Sequence, residues 1–284
     1  MIAGTEITSI RSPRAKAARQ LARRSARQRS RLFLAEGPQA VREALGWPAE
    51  PGLVAELFVT APARSRYGEL IEAAAGQGAA VHAVSGEVMA ELAQTITPQG
   101  LLAVCRFVDV PMERLTGAAP RLVVLLANVR DPGNAGTVLR TADAAGADGV
   151  VFSDASVDPY NSKCVRASAG SLFHLPVVVG SPLQQAAAAL RRAGLRVLAA
   201  DGSAGRELDD LEPDRGLAGP TAWLFGNEAW GLPRELLALA DEAVAVPIYG
   251  RAESLNLAAA AAVCLYASAR AQRRGRAGTP ASAS

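Results

Sequence analysis

Six short apolar runs in the second half of the chain constrain its fold most. They are RLVVLLA (Arg121–Ala127), GVVFS, LPVVV, RVLAA, TAWLFG and EAVAVP, and helical spacing fills most of the gaps between them. Runs such as VVLL and VVV lack the alternation of a half-exposed strand. They suit strands buried on both faces, as in a mostly parallel sheet covered by helices on either side. SLNLAAAAAVCLYASARAQRR then closes the region as a long helix. The expected class is α/β, with this domain spanning 121–272 and a small, polar tail over 273–284 expected to be disordered.

Upstream, a second alternation predicts a smaller αβ domain over residues 1–107. Ser12 to about Arg31 reads as one basic helix, and RLFLAEG as a strand and glycine turn. PQAVREAL is a helix with Val41 and Leu45 on one face. LVAELFVT, AVHAVS and GLLAVCRFV are strands, with helices YGELIEAAA and GEVMAELAQT between them. DVPMERLTGAAP, with its prolines and no periodicity, is the expected linker over 108–120. A chain of 284 residues has room for two such cores.

Net charge is only +3, yet eight arginines and one lysine stand between Arg11 and Arg31 without a single acid. Clustered arginine suits a nucleic-acid backbone, and Arg23, Arg24 and Arg27 are the candidates. The competing account is a solvated helix face in a chain that favours Arg over Lys. No apolar run is long enough to span a membrane. The first residues are too charged for a signal-peptide core; they are Arg-rich like a transit peptide, but lead straight into FLAEGPQAVREAL. Cys105, Cys164 and Cys264 are odd in number and widely spaced, as expected of buried thiols in a reducing cytosol, with no disulfide or metal spacing. His82 and His174 have no partner motif and read as structural. A cytoplasmic protein is expected, with no metal and no membrane.

Three blocks carry the chemistry: NVRDPGNAGTVLR (Asn128–Arg140), FGNEAWGLP (Phe225–Pro233) and VPIYGRAESLNLA (Val246–Ala258). Each follows an apolar run and opens into a helix. Rich in Gly, Asn and Pro, they suit a ligand held mainly by backbone groups, and Arg140 and Glu228 stand out among them. DPGNAG is neither G-x-G-x-x-G nor a P-loop, so a dinucleotide or nucleoside-triphosphate site is disfavoured. No G-x-S-x-G elbow supports a hydrolase. Asn134 and Ser254 are each natural helix N-caps.

In order and spacing the three blocks resemble the SpoU (TrmH) family of RNA ribose 2′-O-methyltransferases, within the knotted SPOUT class. The N-terminal region is similar, more loosely, to the substrate-binding domain of ribosomal-protein L30e type found in rRNA-modifying members. The resemblance implies a deep trefoil knot, a homodimer and S-adenosylmethionine as cofactor. It places Gly226, Val246 and Leu255, with Leu224 and Ile248, around the cofactor. Arg140 matches the catalytic arginine, and Asn128, Glu228, Ser254 and Asn256 line the same centre. A guanidinium is normally always protonated, so a cation stabilising a developing alkoxide suits Arg140 better than a base. In DPYNSKCVRASAG, Lys163 and Arg166 are candidate RNA contacts. The implied substrate is rRNA, 23S favoured over 16S. The resemblance includes enzymes that confer resistance to ribosome-targeting antibiotics, a role composition does not separate from housekeeping modification. The alternatives are a tRNA 2′-O-methyltransferase and a non-catalytic RNA-binding protein of the same fold.

Overall fold

The computed structural model describes residues 5–46, 52–93, 95–211 and 216–277, the side chains of 275–277 excepted. In chain order the first elements are α1 (Pro13–Gln20), α2 (Arg24–Ser30), β1 (Leu32–Glu36), α3 (Pro38–Leu45), β2 (Val54–Val59), α4 (Ala61–Arg66), α5 (Gly68–Gly76), β3 (Ala80–Ala83), α6 (Gly86–Leu92) and β4 (Leu101–Arg106). There follow α7 (Met112–Gly117), β5 (Leu122–Leu126), α8 (Pro132–Ala145), β6 (Gly149–Ser153), α9 (Ser162–Ala167), β7 (Val177–Ser181) and α10 (Leu183–Arg192). The last are β8 (Arg196–Ala200), α11 (Leu208–Leu211), β9 (Thr221–Phe225), α12 (Arg234–Leu237), β10 (Glu242–Val244) and α13 (Leu257–Ala277). The chain divides into two compact units, Met1–Val108 with Tyr160–His174, and Asp109–Pro159 with Leu175–Ser284.

The first unit is built on a sheet of order β1-β4-β2-β3. β4 runs antiparallel to both β1 and β2, while β2 and β3 are parallel. Ala15, Ala18 and Leu21 pack with Phe58, Val88 and Met89 in its core. The single basic helix expected from Ser12 to Arg31 is in fact two, broken at Leu21–Arg23. Arg27 explains the break. Its guanidinium donates to the carbonyls of Leu21 at 2.8 Å and Ala22 at 2.9 Å, which a continuous helix would have used itself. Segment 160–174 joins this unit through Tyr160, whose ring lies 3.7 Å from Phe107 and 4.8 Å from Phe33, centroid to centroid. Its hydroxyl accepts the Val108 N–H at 3.0 Å.

The second unit is a six-stranded sheet of order β10-β8-β9-β5-β6-β7. Every pairing is parallel, as the unbroken apolar runs predicted. Ala222 and Leu224 on β9 face a core shared with α10, through Leu183, Ala186 and Leu190. Trp223 points to the other face, and its indole N–H donates to Ser268 Oγ of α13 at 2.8 Å. Gln272 near the end of α13 donates to the carbonyls of Arg121 and Gly219, tying the helix to the sheet's amino edge. α13 runs to Ala277, into the stretch expected as a tail; residues 278–284 of that tail lie outside the described residues. All three cysteines are free and buried. Burial pushes the Cys264 thiol up to about 12 and raises Cys105 further, the behaviour of inert core thiols. No helix among the described residues is long and apolar enough to cross a membrane.

Candidate active site

β9 lies between β8 and β5, so the chain leaves β5 towards β7 on one side and returns on the other. Ligands of open α/β sheets bind outside the carboxyl ends of strands at such a switch point. A cavity of about 390 Å³ lies one strand to the side of it, walled by the ends of β8 and β9 and by the loop after β10.

The loops after β9 and β10 wall it, and side chains bind the loop after β5 to them from outside the wall. Two residues past β5, Asn128 has a φ of +57° that turns the chain sharply; Asn tolerates that region better than most residues. Its N–H donates to Ser153 Oγ, and its carbonyl accepts from Asn227 Nδ2 at 2.7 Å. Asp131, not Asn134, caps α8, its carboxylate accepting the Asn134 N–H at 2.8 Å. The Asn134 amide is thereby left free to bridge. It donates to Glu228 Oε1 at 3.3 Å, and its oxygen accepts from Asn256 Nδ2 at 3.1 Å. Glu228 also accepts the backbone N–H groups of Arg130 and Asp131 at 3.2 and 3.1 Å. An anion held at the start of α8 is favoured by the helix dipole as well.

After β9 the chain makes a tight hairpin. Asn227 and Gly231 exchange backbone hydrogen bonds at 2.9 Å in both directions. A Cβ on Gly226 would lie 2.4 Å from the Gly231 carbonyl oxygen, so only glycine fits beneath this turn. Asn227 is buried and serves both neighbours, its side-chain oxygen accepting the Ala229 N–H at 2.8 Å. Asn227 was not among the residues expected from sequence. The signal was its place between Gly226 and Glu228 in a block already singled out.

The third loop brings apolar side chains to the cavity. Val246, Ile248 and Leu255 all line it, and Ile248 and Leu255 remain 38% and 40% exposed. Large aliphatic groups left open beside glycine-rich backbone suit a flat, partly apolar ligand. Asn256 caps α13 by accepting the Ala258 N–H at 2.9 Å, so the helix starts at Leu257 rather than at Ser254. Ser254 lines the cavity with no hydrogen-bond partner among the described residues.

Some expected positions are corrected, and the others take these places. Leu224 is fully buried in β9 and packs in the sheet core, so it does not reach the cavity. The Asn128 side chain is not in the wall either; its backbone shapes the turn. Arg140 lies outside the wall, exposed on α8. Arg27 is buried and bound to two carbonyls, which removes it from the candidate phosphate contacts. Arg166 pairs with Glu36 at 3.7 Å, and with Lys163 it belongs to the first unit. Arg23 and Arg24 are exposed. His82 is buried against Glu56 and Arg14 in the first unit, a structural setting. Among the described residues no group of three or more His, Cys, Asp or Glu could hold a metal ion.

Residues 121–266 match the SpoU rRNA Methylase family, and residues 12–103 match the MRM3-like substrate binding domain. The chain is 35% identical over 261 residues to the 23S rRNA (guanosine(2553)-2′-O)-methyltransferase RlmP of Bacillus subtilis, covering 92% of this chain and 98% of that relative. It is 34% identical over 201 residues to the 23S rRNA (uridine(2479)-2′-O)-methyltransferase of Streptomyces viridochromogenes, covering 69% of each. Among solved structures it superposes on the AdoMet-bound rRNA methyltransferase from Sinorhizobium meliloti with a TM-score of 0.80 and 31% identity, over 94% of this chain and 97% of that one.

Proposed function

The chain belongs to the SpoU rRNA methylase family, and from that membership and its cavity we propose that it methylates a ribose 2′-hydroxyl in 23S rRNA using S-adenosylmethionine. The observation that carries the reading is the Glu228–Asn134–Asn256 chain of hydrogen bonds, which joins all three sequence blocks beside one cavity. The residues present fit the cofactor. Val246, Ile248 and Leu255 would offer apolar faces to the adenine, and Gly226 lines the same cavity where the Gly231 turn packs against it.

The bound cofactor supplies an electrophilic methyl group on a sulfonium. The protein's part is to position the acceptor and manage charge, since a ribose hydroxyl stays protonated near neutral pH. Arg140 is assigned to the developing 2′-oxyanion and an adjacent phosphate, as a fixed cation. Ser254, relieved of capping by Asn256, is assigned to the ribose. Glu228 holds the two loops between which these groups work. The first unit supplies RNA recognition through its exposed arginines. The same reading includes a trefoil knot, a homodimer and a cytoplasmic setting, all carried by family membership. The relatives named above differ in target base, guanosine in one and uridine in the other, so membership leaves the nucleotide open.

Mapping 2′-O-methyl positions in rRNA from cells with and without the protein tests the reading. One 23S ribose should lose its methyl on deletion and regain it with the wild-type chain but not with the Arg140→Ala variant. An unchanged 23S map, or a lost methyl in tRNA alone, contradicts it.

A further inference from the structure

The cavity wall carries three carboxylates, Asp201, Glu228 and Glu253, and no lysine, arginine or histidine. Two are already engaged. Asp201 accepts the Ser203 N–H at 2.8 Å and its hydroxyl at 2.7 Å. Glu228 holds the start of α8 through Arg130, Asp131 and Asn134. Glu253 is different. It is exposed to the cavity and has no hydrogen-bond or ion-pair partner among the described residues, although Arg251 stands two positions away in the same loop. Arg251 is not part of the wall. An uncompensated carboxylate in a cavity walled partly by apolar groups favours a ligand that brings positive charge.

We propose that Glu253 determines the charge preference of this pocket, selecting the cationic cofactor over its neutral product. The inference rests on the cofactor reading above. S-adenosylmethionine carries a sulfonium, an ammonium and a carboxylate, and so a net positive charge. In methyl transfer the bond from sulfur to methyl breaks, a bond from the ribose oxygen to methyl forms, and the hydroxyl proton passes to water. Sulfur keeps the electron pair and becomes a neutral thioether. S-adenosylhomocysteine therefore differs from the cofactor by one methyl and one positive charge, and Glu253 acts on that charge. Attraction to the cofactor, lost once the methyl has moved, favours release of product over its retention.

Calorimetric titration of the full-length wild type and Glu253→Gln with each compound, without RNA, tests this. The substitution keeps the side chain's size and removes its charge. It should weaken S-adenosylmethionine about three- to five-fold, the size an exposed ion pair supports, and leave S-adenosylhomocysteine within about two-fold. Raising salt should erode the wild-type preference and leave that of the variant flat. Glu253→Asp should keep most of the discrimination. Equal weakening of both compounds, or no change in either, overturns the role of Glu253. A wild type that binds neither compound overturns the cofactor reading instead, so the two failures are distinct.

Discussion

Arg140 has no hydrogen-bond or ion-pair partner among the described residues and stands exposed on α8, while Arg27 is 3% exposed and donates to two carbonyls. Burial and partners thus assign the same side chain to different work. Arg140 lies six positions beyond Asn134, about 9 Å along the helix. Helical side chains lean towards the N-terminus, so the long Arg140 side chain extends back along α8, on a face about 120° round the helix from Asn134. Arg140→Ala should leave cofactor affinity within about two-fold yet cut methyl transfer by at least ~100-fold, the cost of removing one stabilising group from an oxyanion. Arg140→Lys separates the two roles open to it. A cation keeps part of the rate at neutral pH, whereas a base replaced by lysine gains rate steeply towards alkaline pH. Arg27→Ala belongs to stability. It leaves the buried Leu21 carbonyl without its donor, costing about 1–3 kcal/mol, whereas water can reach the part-buried carbonyl of Ala22. Denaturant melts should show that loss, with catalysis by the folded fraction unchanged.

At the scale of elements, the two basic helices gain a sharper role than sequence alone allowed. Arg14 pairs with Glu56, Arg19 with Glu91, and Arg31 lies over the Phe107 ring. Arg23, Arg24 and Arg29 stay exposed on the turn between the helices and on α2. Replacing these three by Gln should flatten the dependence of RNA affinity on log salt by about 0.7–0.9 for each phosphate they neutralise. An unchanged slope in filter-binding titrations would make them a solvated face. The parallel sheet was legible because strands buried on both faces need unbroken apolar runs, and VVLL and VVV suit no exposed element. Caps were less so. Asp131, Asn134, Ser254 and Asn256 all have side chains able to accept a backbone N–H, and sequence does not rank neighbouring candidates. Asp131 and Asn256 took the caps, which freed Asn134 to bridge Glu228 and Asn256 and left Ser254 in the cavity wall. The break in the basic stretch was hidden because it depends on Arg27 folding back on its own chain, a tertiary event with no periodic signature.

The whole molecule shows where a cut in sequence and a cut in packing part company. Local pattern set a boundary near residue 108, and no periodicity marks segment 160–174 as belonging elsewhere. Yet Tyr160 and Phe173 pack on Phe33 at 4.8 and 6.0 Å, and Phe33 is completely buried. Leu172 is fully buried in the same segment. A fragment of residues 109–284 therefore carries three large apolar side chains without the surfaces that cover them. Each such side chain contributes about 1.5–3 kcal/mol when buried, and together they rival the ~5–15 kcal/mol that separates a folded domain from its unfolded chain. The fragment is expected to melt well below the full chain and to bind a hydrophobic dye in proportion to the exposed segment. Co-expression with residues 1–108 should restore the melt, because the partners of Tyr160 and Phe173 return with Phe33 and Phe107. A fragment 109–284 that melts as cooperatively and at the same temperature as the full chain would show that segment 160–174 finds cover within the second unit. The sequence boundary would then be the physical one.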